Sequence, residues 1–560
     1  MTKKRRQKKK ASTPRAFAFE ASDRIGAAGA EDDADFLESC FVDTGNLELL
    51  LDAKDNRHII LGRTGSGKSA LIKKLEEERG EHCITISPQS LALSYVSNST
   101  VLKYFSGLGV NLDPFFKLLW RHVVTVEILS HHFDRATGGT KSKQGLMDWV
   151  RGFLNSDSRD DKRVRESLKY LEEWGTQFWN ETEYRVIEIT EKVESDLTTE
   201  AKGRFGIDLA GASAGSKAQD SLSAEQRGEL KRHGQQIISR AQVQDLNNVL
   251  LALDKVLDDP QQPYFVVIDA LDEDWVEERL KYKLIMALIQ TARDFNSVEN
   301  AKVILALRRD VIERVFRLAR DSGFQEEKYE SMYLKVTWSD SDLLEILETR
   351  LSELARRKRV FDGVSLSKVL PRSFRSMPVR DYIVSRAPRP RDIISFFNCC
   401  IDSAVGKPKL RTAELRIAEG EYSRKRLRAL GDEWSADYPH ALSFAQILRE
   451  RPSSFKISSI DEKDFEEKCL ELAAEHPDSR DDLVKISIRV VDEILKPREA
   501  IIDVVQILYR IGLVGLKVHA TERESWSDEL GRSVSRGDID EETSVVVHPA
   551  YHRALGIREK

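Results

Sequence analysis

Apolar residues recur along the chain in two rhythms. Short unbroken runs, His58–Leu61 (HIIL), His82–Ser87 (HCITIS), Pro263–Asp269 (PYFVVID) and Ala301–Leu307 (AKVILAL), read as buried strands. Between them the apolar positions return every three or four residues. Ala70–Gly80 (ALIKKLEEERG) and Arg279–Phe295 (RLKYKLIMALIQTARDF) therefore predict amphipathic helices, with Gly80 as a stop signal. Short strands alternating with helices predict an α/β fold, a parallel sheet with helices on both faces.

A long stretch from about Ser99 to Leu253 carries helical spacing and charged runs, so it reads as a helical insertion in that core. Within it, Phe205–Asp220 (FGIDLAGASAGSKAQD) is rich in Gly, Ala and Ser and predicts a loop or hairpin break. Beyond about Trp338 the strand runs stop. Asp342–Val360 and Arg391–Val405 are amphipathic helices and suggest a separate helical lid. Further helices, then Ile507–Val518 and Thr543–Leu555 as strands flanking a polar loop with Gly, fit a winged helix at the C-terminal end. The expected division is a disordered basic tail at 1–34, a nucleotide-binding core at 35–337 with its insertion at 99–253, a lid at 338–415 and a winged-helix part at 416–560.

Composition changes this picture little. A chain of 560 residues is long for one core, and a net charge of −5 argues against a surface coated with nucleic acid. The first ten residues, MTKKRRQKKK, lack a following apolar segment, so they read as a solvated tail rather than a secretory signal. A sequence-independent grip on nucleic acid by this tail is the competing reading. No apolar stretch has the ~20 residues needed to span a bilayer. The five cysteines show no zinc spacing, which suits a reducing, cytoplasmic compartment, and Cys399 and Cys400 read as helix core.

The strongest chemical signal is Gly62–Ser69 (GRTGSGKS), which matches the P-loop pattern with a strand before it and a helix after it. In Gly62, Arg63, Thr64, Gly65, Ser66, Gly67, Lys68, Ser69 and Ala70 the glycines let backbone N–H groups turn around phosphates at a helix N-terminus. Lys68 is placed to reach the β- and γ-phosphates of a nucleoside triphosphate, and the Ser69 hydroxyl to ligate Mg²⁺. That cradle gives meaning to Val266–Trp275 (VVIDALDEDW), where a strand ends in Asp269, the natural second holder of the metal. In many hydrolytic P-loop enzymes a Glu follows directly and polarises water, whereas this chain has Ala270. Asp272 or Glu273 can replace it as the base, or can simply cap the next helix. Arg308 follows the strand at 301–307 and is a candidate sensor of the γ-phosphate, against a plain ion pair to Asp310 or Glu313. Arg391, with Arg389 as the weaker choice, opens a lid helix and is a second candidate.

The segments GRTGSGKS, FVVIDALDED (Phe265–Asp274), VILALRRDV (Val303–Val311), KVTWSDSDLLEILETRL (Lys335–Leu351) and RPRDIISFFN (Arg389–Asn398) resemble bacterial P-loop ATPases of the STAND and origin-recognition-like AAA+ kind, some of whose relatives sit in phage-defence neighbourhoods. The resemblance implies an additional-strand P-loop core, a helical lid and a winged helix, with ATP and Mg²⁺ as cofactors. It assigns Asp269 as the Walker B aspartate, Arg308 to the sensor-1 position, Arg391 to the sensor-2 position, and Asp272 with Glu273 to the acidic extension of STAND-like proteins. The expected function is a nucleotide-dependent switch with slow ATP hydrolysis that regulates self-assembly into a homo-oligomer or a partner protein effector. The alternative is a DNA loader or remodeller that grips nucleic acid with the winged helix and basic tail. A compact small-molecule kinase has no place for the long helical stretch and lid.

Overall fold

The structure is a computed structural model that describes residues 17–89, 111–136, 162–174, 240–273, 275–319, 325–360, 363–479, 481–519, 521–527 and 534–559. The Gly/Ala/Ser segment at 205–220, Asp274 and the first ten residues lie outside the described residues. Two compact units result: Gly45–Gly62 with Lys68–Val336, and Met1–Thr44 with Arg63–Gly67 and Thr337–Lys560.

The first unit is α/β. In chain order it contains α1 (Asn46–Leu51), β1 (Ile59–Gly62), α2 (Lys68–Arg79), β2 (Cys83–Ile86), α3 (Asp113–Ala136), α4 (Lys162–Trp174), α5 (Arg240–Val256), β3 (Tyr264–Ile268), α6 (Glu278–Asp294), β4 (Ala301–Arg308), α7 (Arg309–Ala319) and β5 (Tyr333–Lys335). The five strands form one parallel sheet in the order β2-β3-β4-β1-β5, so β4 lies between β1 and β3. Every residue of β3 and all of β4 except Arg308 is buried, which explains their unbroken apolar sequence. One apolar core joins this sheet to α3–α7, and the fully buried Trp120 of α3 donates its indole N–H to Leu284 O of α6 at 2.9 Å. The strand β5, three residues long, was not expected from the apolar pattern.

One polar residue interrupts β4. Lys302 is fully buried, yet its ammonium donates to Leu49 O at 3.0 Å and Asp52 O at 2.7 Å, at the C-terminal end of α1. Unpaired carbonyls at a helix C-terminus favour a cation, but burial still pulls the lysine down to about 8.

The second unit contains α8 (Asp340–Arg357), α9 (Val379–Arg386), α10 (Pro390–Ser403), α11 (Thr412–Glu433), β6 (Ser454–Lys456), α12 (Glu462–Glu475), α13 (Asp482–Val491), α14 (Pro497–Arg510), β7 (Val514–Lys517) and β8 (Ser544–Val547). Helix α8 starts at a capping box in which Ser339 and Asp342 satisfy each other's backbone N–H groups, and α10 starts with Pro390, whose missing N–H costs nothing at that position. Strands β6, β8 and β7 pair antiparallel in that order, with α12–α14 between β6 and β7 in the chain. Cys399 and Cys400 are buried in α10, as expected of helix core.

Two expected boundaries differ. The tail was placed at 1–34, but Phe19 and Ile25 are fully buried. Segment 17–33 is poor in large apolar residues, and polar side chains fix its backbone instead. Asn398 accepts from Ile25 N at 3.0 Å and donates to Gly26 O at 2.9 Å, while Arg350 donates to Ile25 O at 2.9 Å and pairs with the buried Asp33 at 2.5 Å. The lid boundary at 415 falls inside α11, which runs unbroken to Glu433.

Candidate nucleotide-binding site

In the α/β unit, parallel register gathers the candidate residues at the C-terminal edge of the sheet, where such sheets hold ligands. Gly62, the last residue of β1, lies opposite Arg308, the last of β4, and β3 beside them ends one residue before Asp269. Lys68 opens α2 and donates its ammonium to Gly62 O at 3.1 Å. Burial pulls the Lys68 ammonium below its usual range, and the neighbouring Asp272 and Asp269 carboxylates oppose that pull. Ser69 and Ala70 follow in the first turn of α2.

The chain leaves β3 by an unusual turn. Ala270 has φ +57°, a left-handed conformation costing an L-residue about 1–2 kcal/mol, and its N–H is held by Asp269 Oδ1 at 2.8 Å. The turn buries Leu271 completely and leaves Asp272 partly exposed. Trp275 Nε1 donates to Leu271 O at 3.1 Å, and Lys281 donates to Asp272 O and Glu273 O at 3.4 and 3.3 Å. Asp272 and Glu273 do not cap the next helix, because the residue before α6 is Glu277 and no side chain caps it. They differ in surroundings. The Asp272 carboxylate lies 3.6 Å from Arg308 Nη1, whereas Glu273 accepts from Gln89 Nε2 at 2.7 Å.

Arg308 makes the ion pair that the sequence offered as the alternative to a sensor role. It grips Asp310 with two parallel bonds of 3.0 Å and faces Asp272 with its remaining nitrogen, while the expected Glu313 is taken by Arg309.

The stretch Arg63–Gly67 is described with the second unit. Gly65 and Gly67 have φ +76° and +96°, which only glycine adopts cheaply. A Cβ at Gly65 would sit 2.8 Å from Arg391 Cβ, and one at Gly67 would sit 3.3 Å from the Trp338 indole. Arg389 Nη1 donates to Thr64 O at 2.8 Å, Arg391 N to Gly65 O at 3.4 Å and Trp338 Nε1 to Ser66 O at 2.7 Å. Arg391 Nε donates to Ala28 O at 3.1 Å in this conformation. The Ser66 hydroxyl is buried and has no hydrogen-bond partner. Sequence reasoning missed Trp338 as a loop contact and ranked Arg389 below Arg391. The sequence signal for Trp338 was its place in the segment Lys335–Leu351 that carries the family resemblance, with no hint of what the indole touches.

These features suit a phosphate ligand with a divalent cation. The missing side chains at Gly65 and Gly67 make room for Arg391 and Trp338, and the left-handed backbone leaves loop N–H groups available to an anion, beside a lysine held among carboxylates. Ser69 and Asp269 would offer the hard oxygen donors that Mg²⁺ prefers. Among the described residues no group of three or more His, Cys, Asp or Glu is placed to hold a metal ion.

A parallel sheet with β4 between β1 and β3, feeding a glycine loop and a helix-opening lysine, makes the α/β unit a P-loop NTPase domain. Comparison with known proteins agrees. Residues 59–336 match the KAP family P-loop domain, and residues 341–431 match the FunZ-associated C-terminal helical domain. A protein of Escherichia coli (strain K12) named for transposon gamma-delta, of 80.3 kDa, is 21% identical over 550 residues, covering 96% of this chain and 67% of that protein. A Walker-type ATPase of Pyrococcus abyssi aligns over 95% of this chain and 98% of its own at 12% identity, with a TM-score of 0.35. Among the described residues no helix is long and apolar enough to cross a membrane.

Proposed function

We propose that this chain is an ATP-binding P-loop ATPase of STAND-like type, working as a slow nucleotide-dependent switch. The observation that carries the reading is the turn at Ala270. It removes a proton acceptor from the position after Asp269 and offers Asp272 instead, already engaged with Arg308. A base that must leave an ion pair before it takes a proton from water gives slow turnover.

In this reading Lys68 and the N–H groups of Gly65–Ser69 bind the phosphates, and Ser69 with Asp269 holds Mg²⁺. The cation, when bound, neutralises charge on the phosphate oxygens. Asp272 orients the attacking water, Arg308 stabilises charge at the γ-phosphate, and Glu273 supports the acidic turn. Arg391, whose stem covers Gly65, reports the triphosphate state. The output is self-assembly or the docking of a partner protein. The strand order β6-β8-β7 supports a winged-helix module for that docking, although three helices precede β7. Asp540, Glu541 and Glu542, just before β8, favour a protein partner over nucleic acid.

The test is turnover and solution mass of the full chain with ATP, with ADP and without nucleotide. The reading expects turnover below about 1 s⁻¹, under the ~10 s⁻¹ median of enzymes, and a different assembly state with ATP. Turnover above ~10 s⁻¹, or one mass in all three conditions, refutes the switch. Capture of duplex DNA that weakens with salt would favour the remodeller instead.

A further inference from the structure

A P-loop can turn its N–H groups inward only if its carbonyls turn outward, and outward carbonyls need donors of their own. Here three consecutive ones have them. Thr64 O, Gly65 O and Ser66 O accept from the Arg389 guanidinium, the Arg391 N–H and the Trp338 indole at 2.8, 3.4 and 2.7 Å. Each carbonyl shares a planar, resonant peptide with the N–H of the next residue. A donor on Thr64 O therefore polarises Gly65 N–H, and a donor on Ser66 O polarises Gly67 N–H. Ser66 N–H is used within the loop, on Arg63 O at 3.2 Å.

The donors are themselves held. Arg389 Nε lies 2.6 Å from Asp392 Oδ2, and Asp392 Oδ1 lies 3.4 Å from Arg426 Nε. Burial would raise the Asp392 carboxyl, but Arg389 and Arg426 keep it below its usual range, so it stays an anion that fixes the guanidinium. Trp338 immediately precedes the capping box that starts α8, so its backbone position is set by that helix. The loop also reaches the other way. Arg63 Nη2 donates to Ser527 Oγ at 2.8 Å, and its guanidinium lies where a Cβ on Gly512 would be, 2.6 Å away.

We propose that Trp338 and Arg389 are positioning residues that hold the phosphate loop in its binding shape through its carbonyls, and that nucleotide occupancy is read back by the same bonds into α8 and α10. The proposal rests on the nucleotide-binding reading above. Phosphate on the Gly67 N–H strengthens the Ser66 O bond to the indole, because the two ends of one peptide polarise together. Loss of phosphate weakens it. The indole N–H is thus the reporter of the loop, on the peptide face opposite the ligand.

The experiment uses the full chain labelled with 5-fluorotryptophan, which has eight tryptophans. Trp338→Phe assigns the Trp338 fluorine resonance by its disappearance. The expected result is a shift of that resonance on saturation with MgATP, and none in Lys68→Ala. Trp338→Phe keeps an aromatic ring at this position but loses the donor, so MgATP binding weakens about fivefold while nucleotide-free thermal stability stays within ~2 °C. Arg389→Lys keeps a charge for Asp392 but not the reach to Thr64 O, and weakens binding in the same direction. An unmoved Trp338 resonance while calorimetry shows MgATP bound, or wild-type affinity in both variants, overturns the proposal. Absence of MgATP binding to the unmodified chain overturns the nucleotide reading, and this proposal with it.

Discussion

Asp272→Asn separates binding from chemistry, because the two should move in opposite directions. The Asp272 carboxylate lies 3.6 Å from Arg308 Nη1, and it is the leading charge that sustains the half-buried Lys68 ammonium. An unscreened pair at that distance would be worth about 4–5 kcal/mol at an effective dielectric near 20. Two facts reduce this. The Asp272 side chain is 32% exposed, and Arg308 keeps both bonds to Asp310 without it. The expected loss of nucleotide-free stability is therefore about 1 kcal/mol, the range of solvent-screened pairs. Removing an anion from beside bound polyphosphate should tighten MgATP a few-fold. If Asp272 is the base, single-turnover hydrolysis should fall by about 10² or more. Glu273→Gln should change either quantity less than ~3-fold, since that carboxylate is exposed and bonded to Gln89. The assay pairs single-turnover hydrolysis with competitive displacement of a fluorescent nucleotide. Hydrolysis within ~3-fold of wild type for Asp272→Asn, or an equal loss for Glu273→Gln, refutes the assignment.

Other outcomes follow from the same geometry. Lys302 is held at about 8 against a usual 10.5, so its charged form costs the fold stability at pH 8 and below, and that cost is relieved as pH rises from 8 toward 10.5. Urea unfolding should show stability rising by roughly 2–3 kcal/mol over that window relative to Lys302→Met, and parallel curves for the two proteins would count against it. Arg350→Met leaves Asp33 charged and buried and should cost about 3–5 kcal/mol in chemical denaturation. A loss below ~1 kcal/mol would mean that segment 17–33 does not dock as described. Gly67→Ala adds a Cβ at φ +96° and 3.3 Å from the Trp338 ring, so MgATP affinity measured by calorimetry should drop at least ~10-fold.

Much of the site was legible because Gly62–Ser69 carries its own context, a strand before and a helix after, and the β3 and β4 runs are too apolar to be anything but buried. Element order alone could not reveal β5 or β6, since three residues carry no usable periodicity. Segment 17–33 resembled a tail because its order comes from Asn398, Arg350 and Lys358, more than three hundred residues away in sequence. The sequence favoured Asp272 over Glu273 only slightly, because their different surroundings follow a left-handed turn at Ala270, and alanine gives no warning of positive φ. Trp338 and Ser66, 272 residues apart, meet only through tertiary structure.

In the function proposed above, Gly62–Ser69 binds a nucleoside triphosphate through Lys68. Calorimetric titration of MgATP into the intact chain and into Lys68→Ala tests it most directly. The wild type should give a saturable one-site isotherm and the variant binding at least ~100-fold weaker, since a charged hydrogen bond to phosphate is worth about 3 kcal/mol. Indistinguishable isotherms would contradict it.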